Sequence, residues 1–361
     1  MIFHGQTRTA VHSRQAALGQ RQGESLQNHF TLSAMLLYAQ LVIGCGFVLY
    51  QQVGTPGYMS ILLLFLPMTG LYFISCHLAE KTGIREGFVG KTADVLLFVC
   101  LLMDAQLSLY AFTAIVREIL PDYNTALITL VTLICVLPSL HRQHSHALPS
   151  FARLLRYPMV VGLGISMLGS MRYGRLDHLF PLLGRGAESV LSGAFWMSTS
   201  LSAALTPLLI RTPPSGKLQR RQGYRSLSIG LLLGAATALV AAYLMPYHFL
   251  TLPDALGTRL LMPIKVHPAL ISWSVTVCLM MLLMLVSLSA SLSRGLHLLS
   301  HVTGRPVGTG LAFLLVPLPA LSTDIARQIV LNLPMIRLVC ILGTVLLLGM
   351  GCLAKKGRAK K

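Results

Sequence analysis

Apolar residues run in long uninterrupted stretches along the chain, each close to the length of a bilayer span, and short basic or Gly/Pro-containing segments separate them. Run length predicts helices over 31–50, 57–78, 92–116, 123–140, 155–171, 189–210, 226–246, 268–292, 308–323 and 334–353. The runs are continuous rather than alternating, which excludes a transmembrane β-barrel. The ninth run is short and carries Pro317 and Pro319, as a kinked or partly re-entrant segment would. The expected fold class is an all-α polytopic membrane protein with about ten transmembrane helices. It divides into a polar cytoplasmic N-terminal tail (1–30), a membrane domain (31–353) and a basic cytoplasmic C-terminal tail (354–361).

Composition sharpens this picture. Of 361 residues 54% are hydrophobic and only 11% charged, with mean hydropathy +0.69. Too few polar residues remain to cover a soluble surface, so a soluble globular enzyme and a disordered chain are both excluded. The net charge of +18 is a topology signal rather than a nucleic-acid signal. With the N-terminus inside, 21 Lys and Arg fall in inside segments and seven in outside segments, with Arg337 left over at the start of the last span. That bias orients the chain with both termini cytoplasmic. The cluster Lys355–Lys361 also suits anionic lipid. Seven cysteines, all in or beside apolar runs and without a CxxC spacing, read as small apolar residues rather than disulfides or metal ligands. No apolar signal-peptide core lies near the start, so the first span is expected to be the membrane-targeting element.

Four features carry candidate chemistry. Gly44-Cys45-Gly46 interrupts the first run, and glycine there either opens the helix or lets another helix approach closely. An opened helix offers free N–H groups to an anionic group such as a carboxylate. The sixth run, Ser192–Ser202, is rich in hydroxyls, contains Gly193, Phe195 and Trp196, and is followed by Pro207. It is either a second interruption or a kinked helix whose hydroxyls bond back to their own carbonyls. Asp104 sits mid-way along the third run with Gln106, Ser108 and Tyr110, and Ser108 shares its face. An acid at that depth needs a partner, a proton or a polar interior, so Asp104, Ser108 and Tyr110 form a candidate coupling or polar site. Asp94, nearer the helix end, is expected at the interface. In the eighth run helical spacing pairs Ser287 with Ser291 and Ser289 with Ser293, with local back-bonding as the simpler expectation. Gly230-x-x-x-Gly234 reads as a packing face. His141, His144 and His146 read as a solvated basic loop. No HExxH, phosphate-binding loop or nucleophile–base pair is present, so the sequence points to no enzyme, no cofactor and no metal site.

The order of motifs resembles the spore germination permease-like B subunits, the GerAB family, within the amino acid–polyamine–organocation superfamily. The likeness covers about 31–353. It rests on Val42-Ile-Gly-Cys-Gly-Phe-Val-Leu49, on Ala114-Ile-Val-Arg-Glu-Ile-Leu-Pro121, on Leu179-Phe-Pro-Leu-Leu-Gly-Arg-Gly186 followed by Val190-Leu-Ser-Gly-Ala194, and on Ser272-Trp273. The resemblance implies LeuT-like inverted five-helix repeats with helices 1 and 6 broken around a central site. It makes Ile43, Gly44, Cys45 and Gly46, with Gly193, Ala194, Phe195 and Trp196, candidate ligand-binding residues. It also implies a membrane subunit of a germinant receptor, in a spore inner membrane or cell membrane, that binds a small amino-acid-like germinant and signals to A-type and C-type partner subunits. The alternative is a secondary amino acid transporter coupled to protons or cations. Two departures stand out. Helix six reads Ser200-Leu-Ser-Ala-Ala204 where many members carry an acid, and Pro263-Ile-Lys-Val-His-Pro268 replaces a Glu-Arg pair.

Overall fold

A computed structural model describes residues 25–46, 53–54, 56–81, 87–122, 124–140, 147–172, 174–180, 186–210, 216–245, 270–305 and 323–358. Every regular element among them is helical. Helix α1 runs over 25–44 and passes into a π turn at Cys45 and Gly46. There follow α2 (Gly57–Leu63), α3 (Phe65–Glu80), α4 (Phe88–Ile119), α5 (Thr125–Val136) and α6 (Ala147–Met171). Next come α7 (Ala187–Met197), a 3-10 segment (Ser198–Leu205), α8 (Thr206–Leu209), α9 (Lys217–Leu244), α10 (Leu270–Thr303) and α11 (Thr323–Arg358). The N-terminal tail to residue 24, nearly all of the ninth expected span, the segment 247–267 and the histidines at 141, 144 and 146 lie outside the described residues.

Among the described residues six helices are long and apolar enough to cross a bilayer: Gly57–Glu80, Phe88–Arg117, Ala147–Met171, Lys217–Leu244, Val277–Thr303 and Met335–Leu353. The distribution of polarity agrees with lipid as the surrounding solvent. Leu66, Leu154, Leu168 and Val339 are 83%, 74%, 69% and 67% exposed, whereas Asp104, Ser108 and Gln40 are buried. A soluble bundle places these classes the other way round. The chain is a multi-pass membrane protein.

Helix boundaries extend beyond the apolar runs. α1 starts at 25 and buries Leu26 and Phe30, α9 starts at Lys217 and α11 at Thr323. Run length sees only the lipid-facing stretch, while intrahelical hydrogen bonds continue through polar residues at either end. The longest consequence concerns α11. Arg337 lies well inside that helix, near its middle, rather than at its start.

α4 is the central element and packs along both α10 and α11. α9 crosses α1 where glycines allow backbone contact. A Cβ at Gly230 would fall 2.6 Å from the Ala34 carbonyl oxygen, and one at Gly234 would fall 2.8 Å from Leu41 Cδ1. Gly230-x-x-x-Gly234 is thus a packing face, as the spacing indicated. α6 and α9 run parallel, since their C-terminal ends meet: Arg175 N donates to the Tyr243 carbonyl at 3.1 Å, and His178 Nδ1 approaches the same oxygen at 3.2 Å. Asp94 is 1% exposed and faces His301 Nδ1 at 3.0 Å, since α4 begins four residues before its apolar run and carries Asp94 against α10.

Candidate functional site

Three stretches depart from α-helical winding or carry buried charge, and they meet at α4. The first is the end of α1. Ser33, Gln40 and Gly44 recur at helical spacing along one face of it. The π turn follows immediately, and such turns often accompany functional positions. The second is the eight-residue 3-10 segment between α7 and α8. Runs beyond three or four residues are uncommon, because 3-10 hydrogen-bond geometry is poorer.

The tightened winding has a specific result. With three residues per turn, Ser200 and Thr206 fall in line on one side of the segment. Ser200 Oγ donates to the Gln40 carbonyl at 3.3 Å, and Thr206 Oγ1 donates to Ser33 Oγ at 2.7 Å. Six 3-10 residues span about 12 Å. Seven α-helical residues from Ser33 to Gln40 span about 10.5 Å, so the two repeats match in antiparallel register. An α-helical segment would turn Ser200 and Thr206 about 120° apart, and only one could face α1. Back-bonding is present alongside: Ser198 Oγ donates to the Phe195 carbonyl and Thr199 Oγ1 to the Trp196 carbonyl. The sixth run thus stays wound throughout 187–209, tightened to 3-10 over Ser198–Leu205, with back-bonded hydroxyls at its start.

Gln40 is the hub. Its Nε2 lies within reach of Ser108 Oγ at 3.2 Å, the Asp104 carbonyl at 3.3 Å and Ser287 Oγ at 3.4 Å. Ser108 and Ser287 hydroxyls bond each other at 2.8 Å. Ser287 thus bonds across helices rather than back onto its own, contrary to the simpler expectation. Ser287, Ser291 and Arg294 follow one face of α10. Arg294 Nη2 reaches Ser33 Oγ at 3.2 Å. Among the described residues Gln40 Oε1 and Ser291 Oγ are buried without a hydrogen-bond partner. Buried polar atoms are satisfied almost everywhere in folded proteins, so unpaired ones in the middle of a bundle are candidate ligand contacts.

The third stretch surrounds Asp104. Arg337 Nη2 from α11 lies 2.5 Å from Asp104 Oδ1, and both residues are 2% exposed. Ser202 Oγ donates to Asp104 Oδ2 at 2.6 Å. The contact with Arg337 is one of charge, since neither Nη2 nor Oδ1 has a partner at hydrogen-bonding angles among the described residues. The carboxylate therefore ties α4 to α11 and to the 3-10 segment. Sequence reasoning found the acid and missed its partner. The signal was the single cation left outside the loop count.

Of the other residues singled out, Ile43 and Cys45 are buried in the apolar core, and Gly46 is buried at the π turn. A Cβ at Gly44 would lie 2.8 Å from Met197 Sδ and 3.5 Å from Ser200 Oγ, so glycine lets α1 approach the α7–3-10 junction. Gly193 is buried on α7. Ala194 and Trp196 are partly exposed, and Phe195 is 50% exposed, meeting Trp196 edge to face at 6.1 Å. These four are not among the residues bonded to Gln40 or Asp104. Tyr110 packs beside the apolar core. None of the seven cysteines forms a disulfide. Among the described residues no group of three or more His, Cys, Asp or Glu side chains is gathered as a metal site requires.

Comparison with solved structures finds a likeness to a membrane transporter. The Eremococcus coleocola manganese transporter, in complex with an aromatic bis-isothiourea substituted compound, matches at TM-score 0.50 and 15% identity over 92% of this chain and 78% of that one. The H236A mutant of the same transporter matches at TM-score 0.48 and 13% identity, over the same shares of the two chains. The likeness is one of fold: the chain has a membrane-transporter-like helical fold. No protein-family model and no curated protein sequence matches the chain.

Proposed function

We propose that the chain is a secondary transporter for a small amino-acid-like solute, bound between α1, α4, the 3-10 segment and α10. The observation that carries this reading is the Gln40 cluster. A buried amide with an unpaired acceptor oxygen sits beside the Ser108 and Ser287 hydroxyls, and the unpaired Ser291 hydroxyl follows one turn along α10, beside two departures from α-helical winding. Gln40 Oε1 and Ser291 Oγ would receive an ammonium group. The glycine-bearing end of α1 at Gly44–Gly46 would wall the other end of the site. In this reading the full architecture comprises ten spans in two inverted five-helix repeats, with α1 and the α7–α8 stretch as the broken pair and both termini cytoplasmic.

One observation favours a second reading, a germinant-sensing membrane subunit that binds the same solute and passes a conformational signal to A-type and C-type partners. Asp104 is already matched by Arg337, so the acid has no spare charge for a driving cation. Sensing needs only that the solute prefer one of two arrangements of the bundle.

Purified protein in proteoliposomes, given a panel of radiolabelled amino acids with and without an inward proton gradient, tests the proposal. Transport predicts gradient-dependent accumulation of at least one amino acid above the equilibrium level. Saturable binding without accumulation moves the assignment to the sensing subunit. Neither uptake nor binding of any amino acid contradicts both.

A further inference from the structure

One apolar hollow lies away from the central cluster. A cavity of about 320 Å³ lies between α1, α6 and α9, lined by Ala34, Met35 and Tyr38, by Val160 and Leu163, and by Leu233. It opens sideways: Tyr157, Val160 and Ile229 on its wall are 64%, 45% and 55% exposed. Its polar residues gather toward one end. Thr31, Arg156 and Ser226 are each the first lining residue of their helix. α6 and α9 are parallel, as are α1 and α9, whose Ala34 and Leu41 meet Gly230 and Gly234 in the same order. The first lining residues therefore share one end of the cavity, and Tyr38, Leu163 and Leu233 share the other.

Arg156 is held ready at that mouth. Its Nη2 donates to Tyr157 Oη at 2.6 Å, and its guanidinium carbon lies 4.5 Å from the Tyr157 ring centroid. A guanidinium carries five N–H donors, and among the described residues Tyr157 is the only partner bonded to them. No carboxylate faces it among the described residues. Arg153 stands one turn before Arg156 on α6, and Arg225 one turn before Ile229 on α9, both exposed. The charge bias along the sequence assigns all three to the cytoplasmic side, where anionic lipid is attracted by clustered cations.

We propose that this cavity is a lateral binding site for one anionic phospholipid. An acyl chain would lie between α1, α6 and α9, with its phosphate on Arg156 and the flanking cations of Arg153 and Arg225. A soluble anion would leave the apolar wall bare, and a zwitterionic lipid would place a choline beside three cations. The site touches α1 on Thr31, Ala34, Met35 and Tyr38. Occupancy would thereby fix the packing of the helix that also carries Gln40. The assignment stands independently of which solute the central cluster takes.

Native mass spectrometry of the delipidated full-length protein, titrated with phosphatidylglycerol and with phosphatidylcholine of the same chains, reads the site directly. The proposal predicts one phosphatidylglycerol retained at least about tenfold more tightly than phosphatidylcholine. Arg156→Gln should reduce that retention by about tenfold, as loss of a charge-assisted hydrogen bond implies. Val160→Trp, which fills the opening, should abolish it, whereas Leu154→Trp on the exposed side of the same helix should leave it unchanged. Excess glycerol 3-phosphate should not compete. Equal retention of the two lipids overturns the proposal, as does retention indifferent to Arg156→Gln, or displacement by glycerol 3-phosphate. If Val160→Trp fails to give a monodisperse protein, the headgroup comparison and Arg156→Gln decide the matter alone.

Discussion

Arg337→Met lowers the stability of the folded protein by about 3–5 kcal/mol, the usual cost of stranding one member of a buried ion pair. Asp104 is 2% exposed and would keep only the Ser202 hydroxyl as a partner. A bare carboxylate at mid-helix carries a penalty of about 2.5–3.5 kcal/mol on insertion scales, which is the same order. Asp104→Asn/Arg337→Met removes both charges and keeps an oxygen for Ser202 to bond, so it should recover most of the loss. Replacing both members of a buried pair is often neutral, whereas removing one is not. Thermal midpoints in detergent, followed by size-exclusion fluorescence, check this. The single variant should melt several degrees below wild type, and the double variant close to it. A single variant that melts with wild type would mean that the pair is not formed.

Gly230→Leu has an effect of comparable size for a steric reason. A Cβ at Gly230 would lie 2.6 Å from the Ala34 carbonyl oxygen and 3.3 Å from Ala34 Cα, which are backbone atoms. No side chain can rotate away, so α1 and α9 must separate. Association of helices in lipid depends on such close packing, because burial of apolar surface adds little there. Overpacking costs about 1–3 kcal/mol where neighbours can shift, and a backbone clash belongs at or beyond the upper end. The control is Gly164→Ala on α6, where an added Cβ meets nothing within 4 Å. That change should be neutral or raise stability by up to about 1 kcal/mol through helix propensity. The two variants should shift the melting midpoint in opposite directions, or leave Gly164→Ala unmoved while Gly230→Leu falls. Equal melting of both would contradict the α1–α9 contact.

The sequence revealed the helices through the length of their apolar runs, and the places where winding departs from α through glycines and hydroxyls where a lipid-facing helix needs neither. Asp104 was legible because an acid inside an apolar run has to be accounted for. Its partner was not. α11 extends back to Thr323 through Asp324, Arg327, Gln328 and Asn332, residues that end an apolar run without ending a helix. Arg337 consequently looked like a boundary cation. Gln40 was overlooked for the opposite reason. It is one amide among leucines and alanines, and only its spacing from Ser33 and Gly44 marks it. Phe195 illustrates a third limit. Hydrophobicity does not say whether an aromatic faces a pocket or lipid, and the helix turns this one outward to 50% exposure.

The central claim is that α1 and the 3-10 segment meet at a polar core built to hold a small solute through Gln40. Equilibrium binding of the radiolabelled amino-acid panel to purified wild type and Gln40→Leu, measured side by side with their melting midpoints, tests it most directly. The account predicts saturable binding of at least one amino acid to wild type. In Gln40→Leu that binding should weaken by about tenfold or more, beyond a fall of a few degrees in the midpoint as Ser108, Ser287 and the Asp104 carbonyl lose a buried donor. Binding of the same strength in both proteins, or in neither, would contradict it.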